Sequence, residues 1–284
     1  MRFTFLGTAS AFAYPEPFCR CENCQKARKA GGKSLRKRSA ALINDDLLID
    51  LGPDIVSASQ IHNTPLINLQ YCLQTHPHSD HLDLSNLLSR NLNFGNVGAP
   101  LLHYYASSAT LEHADETFQR DLSEYGIFDP RAEEELNLKL HRVETMQPFK
   151  VGPYQVTAFP ANHAPGIGAL LYAIEHNGSS VFYGTDTDSL SEETWQAFHQ
   201  LNLKFDLVVL DHTNGSNQPG FGHLNADLVI KHSKRMREEG ILKKNGEVYA
   251  THIAHGGNPI HAELDEFAKQ NGYQAAYDGL VITL

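Results

Sequence analysis

The segment Thr75-His76-Pro77-His78-Ser79-Asp80-His81 holds four metal-competent side chains within six residues. His76 and His78 stand two apart, so in an extended chain their imidazoles project to the same side. Asp80 and His81 follow where the chain turns toward a helix expected to begin near Asp83. Leu69 to Gln74, just before, reads as a strand that ends at the histidines. Four such side chains at a strand's end can face one cavity, and imidazole with carboxylate suits zinc, manganese or iron. A histidine-rich surface loop is the plainer reading, but the strand before and the helix after speak against it.

Outward from this segment, strands and helices alternate along the whole chain. Toward the N-terminus, Phe3 to Leu6 is a short strand, and Ala40 to Ile43 with Leu47 to Asp50 forms a hairpin around Asn44-Asp45-Asp46. Helices are expected over Leu84 to Leu92 and Ala109 to Leu122. The second half repeats the style. Gln155 to Phe159, Ala169 to Glu175 and Ser180 to Tyr183 are strands, the last two joined by an Asn177-Gly178 turn. Helix Glu192 to Leu201, the buried strand Leu207 to Leu210 and a helix from about Asn225 to Glu239 follow. Strand Val248 to Ala250, helix Ala262 to Gln270 and strand Leu280 to Leu284 complete the chain. Strands followed by helices, twice over, imply an α/β fold of two sheets packed face to face with helices outside.

The bulk numbers fit that picture. The 284 residues suffice for one large domain, and 41% hydrophobic with 20% charged residues is ordinary for a globular protein. No stretch approaches the roughly 18 to 20 apolar residues that span a bilayer. The N-terminus lacks the apolar core of a signal peptide, so a cytoplasmic location is expected. A formal charge of −10 argues against a broad grip on nucleic acid, but not against a small anion held at a metal. Histidine occurs 16 times, and three of the four cysteines, Cys19, Cys21 and Cys24, lie within six residues. Without a secretion signal, such a cluster suggests metal ligation more than a disulfide framework. A redox-active thiol cluster is the competing reading.

H-x-H-x-D-H after a buried strand resembles the signature of the metallo-β-lactamase superfamily, whose αββα sandwich packs two mixed sheets between helices. The rest of the chain can be set against that family one residue at a time. Leu48-Ile49-Asp50-Leu51-Gly52 matches the family's acidic strand end, and Asn162-His163 the next ligand position. Asp186 in Gly184-Thr185-Asp186 matches the residue that bridges two metals, and His252 in Thr251-His252 matches the final histidine. The resemblance implies one divalent cation held by His76, His78 and His163 and a second held by Asp80, His81 and His252, with Asp186 shared. Such a pair activates water and stabilises both the attacking and the leaving oxygen. Asp80 thereby belongs to the catalytic machinery as well as to the ligands.

The cysteines narrow the resemblance. C-x-C-x2-C supplies three thiolates, one short of a tetrahedral structural site. Cys72 lies inside a strand and reads as apolar filler, whereas His255 in Thr251-His252-Ile253-Ala254-His255 is better placed. The combination is similar to the cyclic-phosphate phosphodiesterases that accompany the carbon–phosphorus lyase pathway. There the cluster and the second histidine of T-H-x-x-H hold a structural zinc. Carried over, that implies zinc at Cys19, Cys21, Cys24 and His255. In those enzymes a histidine before the next helix lies near the substrate phosphate, which implies that His223 in Gly222-His223-Leu224-Asn225 assists the leaving group while Asn225 caps the helix. A surface histidine is the bland alternative. The neighbouring Asp211-His212 is expected to face the same region.

The sequence therefore implies one domain over residues 1–284, with residues 94–150 as an insertion or lid. Its expected activity is hydrolysis of a small cyclic or nucleotide-like phosphodiester by a dinuclear centre of zinc, manganese or iron. Ester, thioester or lactam hydrolysis at the same metals is the first alternative, although many lactamases of the fold place a cysteine where this chain has Asp186. A tRNA 3′-end endonuclease would need a basic arm that is missing, and a non-catalytic carrier of the fold would be expected to carry gaps in the ligand set. Seven basic residues between Lys26 and Arg38 read as a solvated helix face sooner than as a phosphate guide. No membrane partner is expected, and a homodimer is left open.

Overall fold

The computed structural model describes residues 1–216, 218–219 and 222–284. The first sheet contains β1 (Arg2–Gly7), β2 (Ala40–Ile43), β3 (Leu47–Ile49), β4 (Tyr71–Leu73), β5 (Leu102–Ala106), β6 (Leu138–Arg142) and β14 (Val281–Thr283). Its order is β14-β1-β2-β3-β4-β5-β6. The second sheet contains β7 (Pro148–Val151), β8 (Tyr154–Pro160), β9 (Leu170–His176), β10 (Ser179–Gly184), β11 (Phe205–Asp211), β12 (Leu242–Thr251) and β13 (Gln274–Ala275). Its order is the mirror-like β13-β12-β11-β10-β9-β8-β7. Pairing is parallel from β3 to β6 and from β10 to β13, and antiparallel elsewhere.

Alternation along the strands makes the layers. Phe3, Phe5, Ile43, Ile49 and Leu73 of one sheet meet Val156, Ile174, Val181, Tyr183 and Val209 of the other in a shared core. The alternate residues face outward and are also apolar, so each sheet needs a second cover. Leu42, Leu48, Cys72 and Tyr104 pack under α2 (Ile55–His62), α3 (Ser85–Leu88), α4 (Ser108–Asp121) and α5 (Pro130–Glu135). Phe182, Val208, Leu210 and Val248 pack under α6 (Glu192–Gln200), α7 (Ala226–Glu238) and α8 (His261–Gln270). Two sheets between two helix layers are the αββα sandwich expected from the sequence. α1 (Glu22–Ala30) adds Cys24 and Ala27 to a smaller cluster with Tyr14 and Leu264.

Local chemistry supports these elements. Asn177 and Gly178 both take positive φ, 50° and 82°, which the tight β9–β10 hairpin requires. Ser107, Ser191 and Asn225 cap α4, α6 and α7 through their side-chain oxygens. The helix expected over Leu84 to Leu92 is only the four-residue α3 plus a separate turn at Leu92–Phe94. β4 is likewise shorter than the expected strand, because the chain leaves the sheet to present the histidines.

Residues 94–150 do not stand off as a lid. They build β5, α4, α5 and β6 into the first sheet and its outer layer. The reason lies in α4, where Leu111, Ala114 and Phe118 form an apolar stripe that is fully buried on the sheet. In the basic run, Lys26, Arg28, Lys29 and Lys33 are exposed, as a solvated face requires, whereas Arg36 and Arg38 depart from that expectation. Arg36 is buried, donating to Thr8 Oγ1 at 2.7 Å and to the Ala276 carbonyl at 2.5 Å. Arg38 makes a two-pronged contact with Asp54 at 2.7 and 2.8 Å. No helix among the described residues is long and apolar enough to cross a membrane.

Candidate metal centre

The carboxyl ends of β3, β4, β8, β10, β11 and β12 converge, as ligand sites in α/β sheets do. They deliver Asp50, the Thr75–His81 segment, His163, Asp186, Asp211 and His252 to one place. Asp50, Asp186 and His252 each turn through positive φ, 67°, 50° and 56°, just beyond their strands. Such backbone is uncommon outside glycine and clusters at functional sites. Gly52 lets the segment approach, since a Cβ there would lie 2.8 Å from the Asp80 carbonyl oxygen.

Two groups of ligand atoms result. His76 Nε2 lies 3.0 Å and His163 Nε2 3.3 Å from His78 Nδ1. Beside them, His81 Nε2 and His252 Nε2 are 3.3 Å apart, with Asp80 Oδ2 at 3.2 and 3.5 Å. Asp186 reaches both groups. Its Oδ2 lies 2.5 Å from His81 Nε2, 3.1 Å from His252 Nε2 and 3.6 Å from His76 Nε2, and its Oδ1 lies 3.9 Å from His163 Nε2. These contacts lack hydrogen-bond geometry at Oδ2, which is buried without a hydrogen-bond partner.

That arrangement fits metal ions. An N–H on the His78 ring could satisfy only one of its two neighbours, His76 and His163, whereas a cation among the three nitrogens satisfies every lone pair. Burial, then the neighbouring His81, pushes His76 well below its ordinary pKa, the neutral form a ligand needs. Burial also works against ionisation of Asp186, yet His252 and His81 hold it far below the usual carboxylate range. In return, against burial, Asp186 raises His252 to about 10, and Asp186, Asp80 and Asp50 raise His81 well above its normal value. The carboxylates draw protons onto these two histidines, and a divalent cation would replace them.

The outer nitrogens of the histidines are also held. Asp50 Oδ2 accepts from His81 Nδ1 at 2.7 Å, and the hydroxyl of Thr75 lies 3.0 Å from His76 Nδ1 while donating to Asp50 Oδ1 at 2.8 Å. Thr213 Oγ1 lies 2.7 Å from His252 Nδ1. These partners fix which ring nitrogen faces the cavity. Thr75 and Thr213 escaped the sequence reading, and only their positions next to His76 and after Asp211-His212 hinted at them.

His223 joins the site as expected. Its Nδ1 lies 2.8 Å from Asp211 Oδ2 and 3.3 Å from Asp186 Oδ1, and its ring stacks on His252 with centroids 5.5 Å apart. Burial lowers its pKa, but the bond to Asp211 and the charges of Asp211 and Asp186 together outweigh that, and the net shift is upward. His212 does not join. It is buried the other way, with Nδ1 at 2.8 Å from Asn258 Oδ1 and Nε2 at 2.8 Å from the Tyr273 hydroxyl. In a β-strand continuation, neighbours point to opposite faces, so only Asp211 could reach the centre.

The cysteine cluster assembles separately. Cys19 Sγ and Cys21 Sγ lie 3.7 and 3.4 Å from His255 Nδ1, and Cys24 completes a group whose ligand atoms all fall within 4.8 Å. Cys21 caps α1, its sulfur accepting from Cys24 N at 3.4 Å, and Asn23 Nδ2 donates to the His255 carbonyl at 2.9 Å. All four cysteines are free, and three soft sulfurs with one imidazole suit a tetrahedral zinc. Cys72 is wholly buried among apolar side chains, as expected.

Residues 46–253, well over half of the chain, match the family model described as the Beta-lactamase superfamily domain. The chain belongs to the metallo-β-lactamase superfamily. No curated protein is similar enough to count as a match. Among solved structures, a diphosphatase of the PhnP family is similar at TM-score 0.72 and 23% identity, over 99% of this chain and 97% of that one. Zn(2+)-bound PqqB from Methylobacterium extorquens is similar at TM-score 0.75 and 19% identity, over 100% of both chains. The short form of human tRNase Z is similar at TM-score 0.64 and 17% identity, over 100% of this chain and 99% of that one. At such identities the likeness describes the fold. As a member of the metallo-β-lactamase superfamily, the chain has the fold of metal-dependent hydrolases, with its histidine–aspartate cluster at the strand ends.

Proposed function

We propose that the protein is a dinuclear metal-dependent phosphodiesterase acting on a small cyclic or nucleotide-like phosphodiester. The observation that carries the reading is the Asp211–His223 pair set against Asp186, the carboxylate shared by both ligand groups. His76, His78 and His163 would hold one cation, Asp80, His81 and His252 the other, with Asp186 between them. Bound there, zinc, manganese or iron would supply positive charge to the attacking and departing oxygens and make water acidic enough to react at neutral pH.

The chain's own groups do the rest. His223 has its Nδ1 committed to Asp211, which leaves Nε2 as the atom that carries a proton to the departing alkoxide. Because that bond raises the pKa of His223, the ring stays protonated to higher pH than a free imidazole. Asp50, Thr75 and Thr213 hold the ligand rings so that little reorganisation is needed as charge develops. Cys19, Cys21, Cys24 and His255 would hold a structural zinc that fastens α1 to the loop carrying His252. The likeness to a PhnP-family diphosphatase supports phosphorus over carbon as the reacting centre. The burial of Arg36 and the pairing of Arg38 with Asp54 take two of the seven cations of the Lys26–Arg38 run out of reach of a polyanion such as tRNA.

Hydrolysis of bis(p-nitrophenyl) phosphate by metal-reconstituted protein, beside Asp186→Ala, tests the reading. Turnover that disappears in the variant supports it. Absence of turnover with zinc, manganese and iron, despite about two ions bound at the centre as the dinuclear scheme requires, would refute it in favour of ester or thioester hydrolysis.

A further inference from the structure

Asn258 is wholly buried, belongs to neither strand nor helix, and gathers three carbonyl oxygens around one nitrogen. Its Nδ2 donates toward the carbonyls of His212 at 3.0 Å, Thr213 at 3.1 Å and Ala254 at 3.0 Å. Two hydrogens serve three acceptors, so one of them is shared. Oδ1 accepts from His212 Nδ1 at 2.8 Å, which leaves His212 Nε2 to accept from the Tyr273 hydroxyl at 2.8 Å. The reversed amide would set its oxygen against the three carbonyls, and that assigns the orientation. The backbone carbonyl of Asn258 accepts from the Tyr14 hydroxyl at 3.1 Å.

This side chain joins the loops that leave β11 and β12. The β12 loop begins at His252, whose positive φ of 56° makes the direction of its ring depend on how the following residues are held. The β11 loop carries Thr213. Its hydroxyl donates to the His252 carbonyl at 3.0 Å and, with its hydrogen so used, accepts from His252 Nδ1 at 2.7 Å. Nδ1 is thereby occupied, and Nε2 is the nitrogen that faces Asp80 and Asp186. Thr213 N donates to Asp211 Oδ1 at 2.8 Å, and Asp211 Oδ2 holds His223. One threonine thus sets a ligand ring and the partner of the acid, and Asn258 holds the threonine. The loops also meet through their backbones. Ser216 N donates to the Gly257 carbonyl at 3.2 Å, and a Cβ on Gly257 would run into the Asn214 carbonyl oxygen. Backbone packed this closely crowds carbonyl oxygens together, and an amide carries the hydrogens they need.

We propose that Asn258 is a positioning residue for the cation held by Asp80, His81 and His252. It locks Thr213 against the His252 loop, which aims His252 Nε2 into the centre and keeps Asp211 on His223. Asn258 touches neither cation nor substrate and acts through Thr213. The inference rests on the dinuclear reading and goes beyond it. His76, His78 and His163 lie on neither loop, so the other cation should not feel the change.

Manganese(II) tests this without turnover, because thiolates bind it poorly and the cysteine cluster stays silent. Wild type is expected to take an ion at each group and to show the electron paramagnetic signal of a coupled pair. In Asn258→Ala the affinity of the His252 group should fall about 10- to 100-fold, the scale of losing a partner that orients a metal ligand. The other group keeps its affinity, and at intermediate manganese the spectrum becomes that of isolated ions. His78→Ala and His252→Ala mark which binding step is which. Thr213→Val removes the hydroxyl alone, and the double variant should lose little more than either single one, since both act on one ring. Asn258→Ser keeps one donor and carries the same cycle if Asn258→Ala does not fold. Additive losses, equal losses at both groups, or binding that no variant alters would each overturn the proposal. Ions bound at both groups without turnover would sink the phosphodiesterase reading and leave this inference to the cycle. Wild type that binds no manganese overturns both.

Discussion

Asp50 Oδ2 accepts a hydrogen bond from His81 Nδ1 at 2.7 Å, with both side chains fully enclosed. The same carboxylate accepts from Gln74 Nε2 at 3.0 Å and from Thr75 N and Oγ1 at 2.8 Å each. It therefore ties β3 to the whole base of the metal-binding segment. Asp50→Ala leaves these donors unpaired in the interior and is expected to cost about 3 to 5 kcal/mol of stability. Metal affinity should fall by about 10- to 100-fold, since His81 loses the partner that orients it. Denaturant unfolding and metal titration read the two effects separately, and an unchanged affinity would show that His81 orients itself.

His223 should matter in proportion to how badly the leaving group needs a proton. His223→Ala is expected to slow hydrolysis of alkyl phosphodiesters by about 10²- to 10⁴-fold. It should slow p-nitrophenyl esters far less, because that alcohol departs as a stable anion. Equal losses on both would reassign His223 to binding.

The pH profile carries a sign that can be checked. Burial lowers the pKa of His223, and the Asp211 bond together with the charges of Asp211 and Asp186 more than restores it. Activity on alkyl esters should thus persist above the ordinary imidazole range and fall as pH rises through the raised value. Asp211→Asn weakens that support, so the alkaline fall should move to lower pH. A profile that does not move would place the acid elsewhere.

Asp278 offers a test away from the metals. Burial pushes its carboxyl up to about 6, against the opposing pull of Lys37 N, Thr8 and Arg36. At Asp278 the folded chain then binds a proton more tightly than the unfolded chain, so this group's contribution to stability is highest below the ordinary carboxylate pKa. That contribution should decline from about pH 4 to about pH 6, by up to about 3 kcal/mol, and level off above that. It is read as the difference in urea midpoints between wild type and Asp278→Asn, which should change across that range and be constant above it.

Removal of the thiolate cluster should be a stability lesion first. Cys21→Ser deletes a ligand but keeps a side-chain oxygen to cap α1, so it isolates the contribution of the cluster. The variant is expected to retain about one fewer zinc per chain and to lose several kcal/mol, as structural zinc sites contribute folding energy outright. Metal analysis with thermal unfolding decides it, and a variant with full zinc content and unchanged melting would return the cluster to the redox reading.

Much of this protein is local in origin. The two layers of strands were legible because each strand alternates or runs apolar over a few residues, and turns such as Asn177-Gly178 punctuate them. His76, His78, Asp80 and His81 were legible because one short segment carries them all, and the distant partners His163, Asp186, His252 and His255 only through the family resemblance, since each alone is an ordinary polar residue near a strand end. Other features depend on approach through space. Nothing near Thr213 in the chain states that its hydroxyl meets His252, and nothing in Asp211-His212 says which of the two faces the centre. Residues 94–150 looked detachable because their helices were countable, whereas their place in the first sheet follows from pairing with β4 and from the buried stripe of α4. Arg36 looked solvated among its basic neighbours, yet Thr8, Ala276 and His261, all remote in sequence, enclose it. Period and spacing are properties of a segment and survive in the bare sequence. Which hydroxyl orients which ring, and which cation is buried, depends on long-range packing that brings donors and acceptors together only after the sheets have closed.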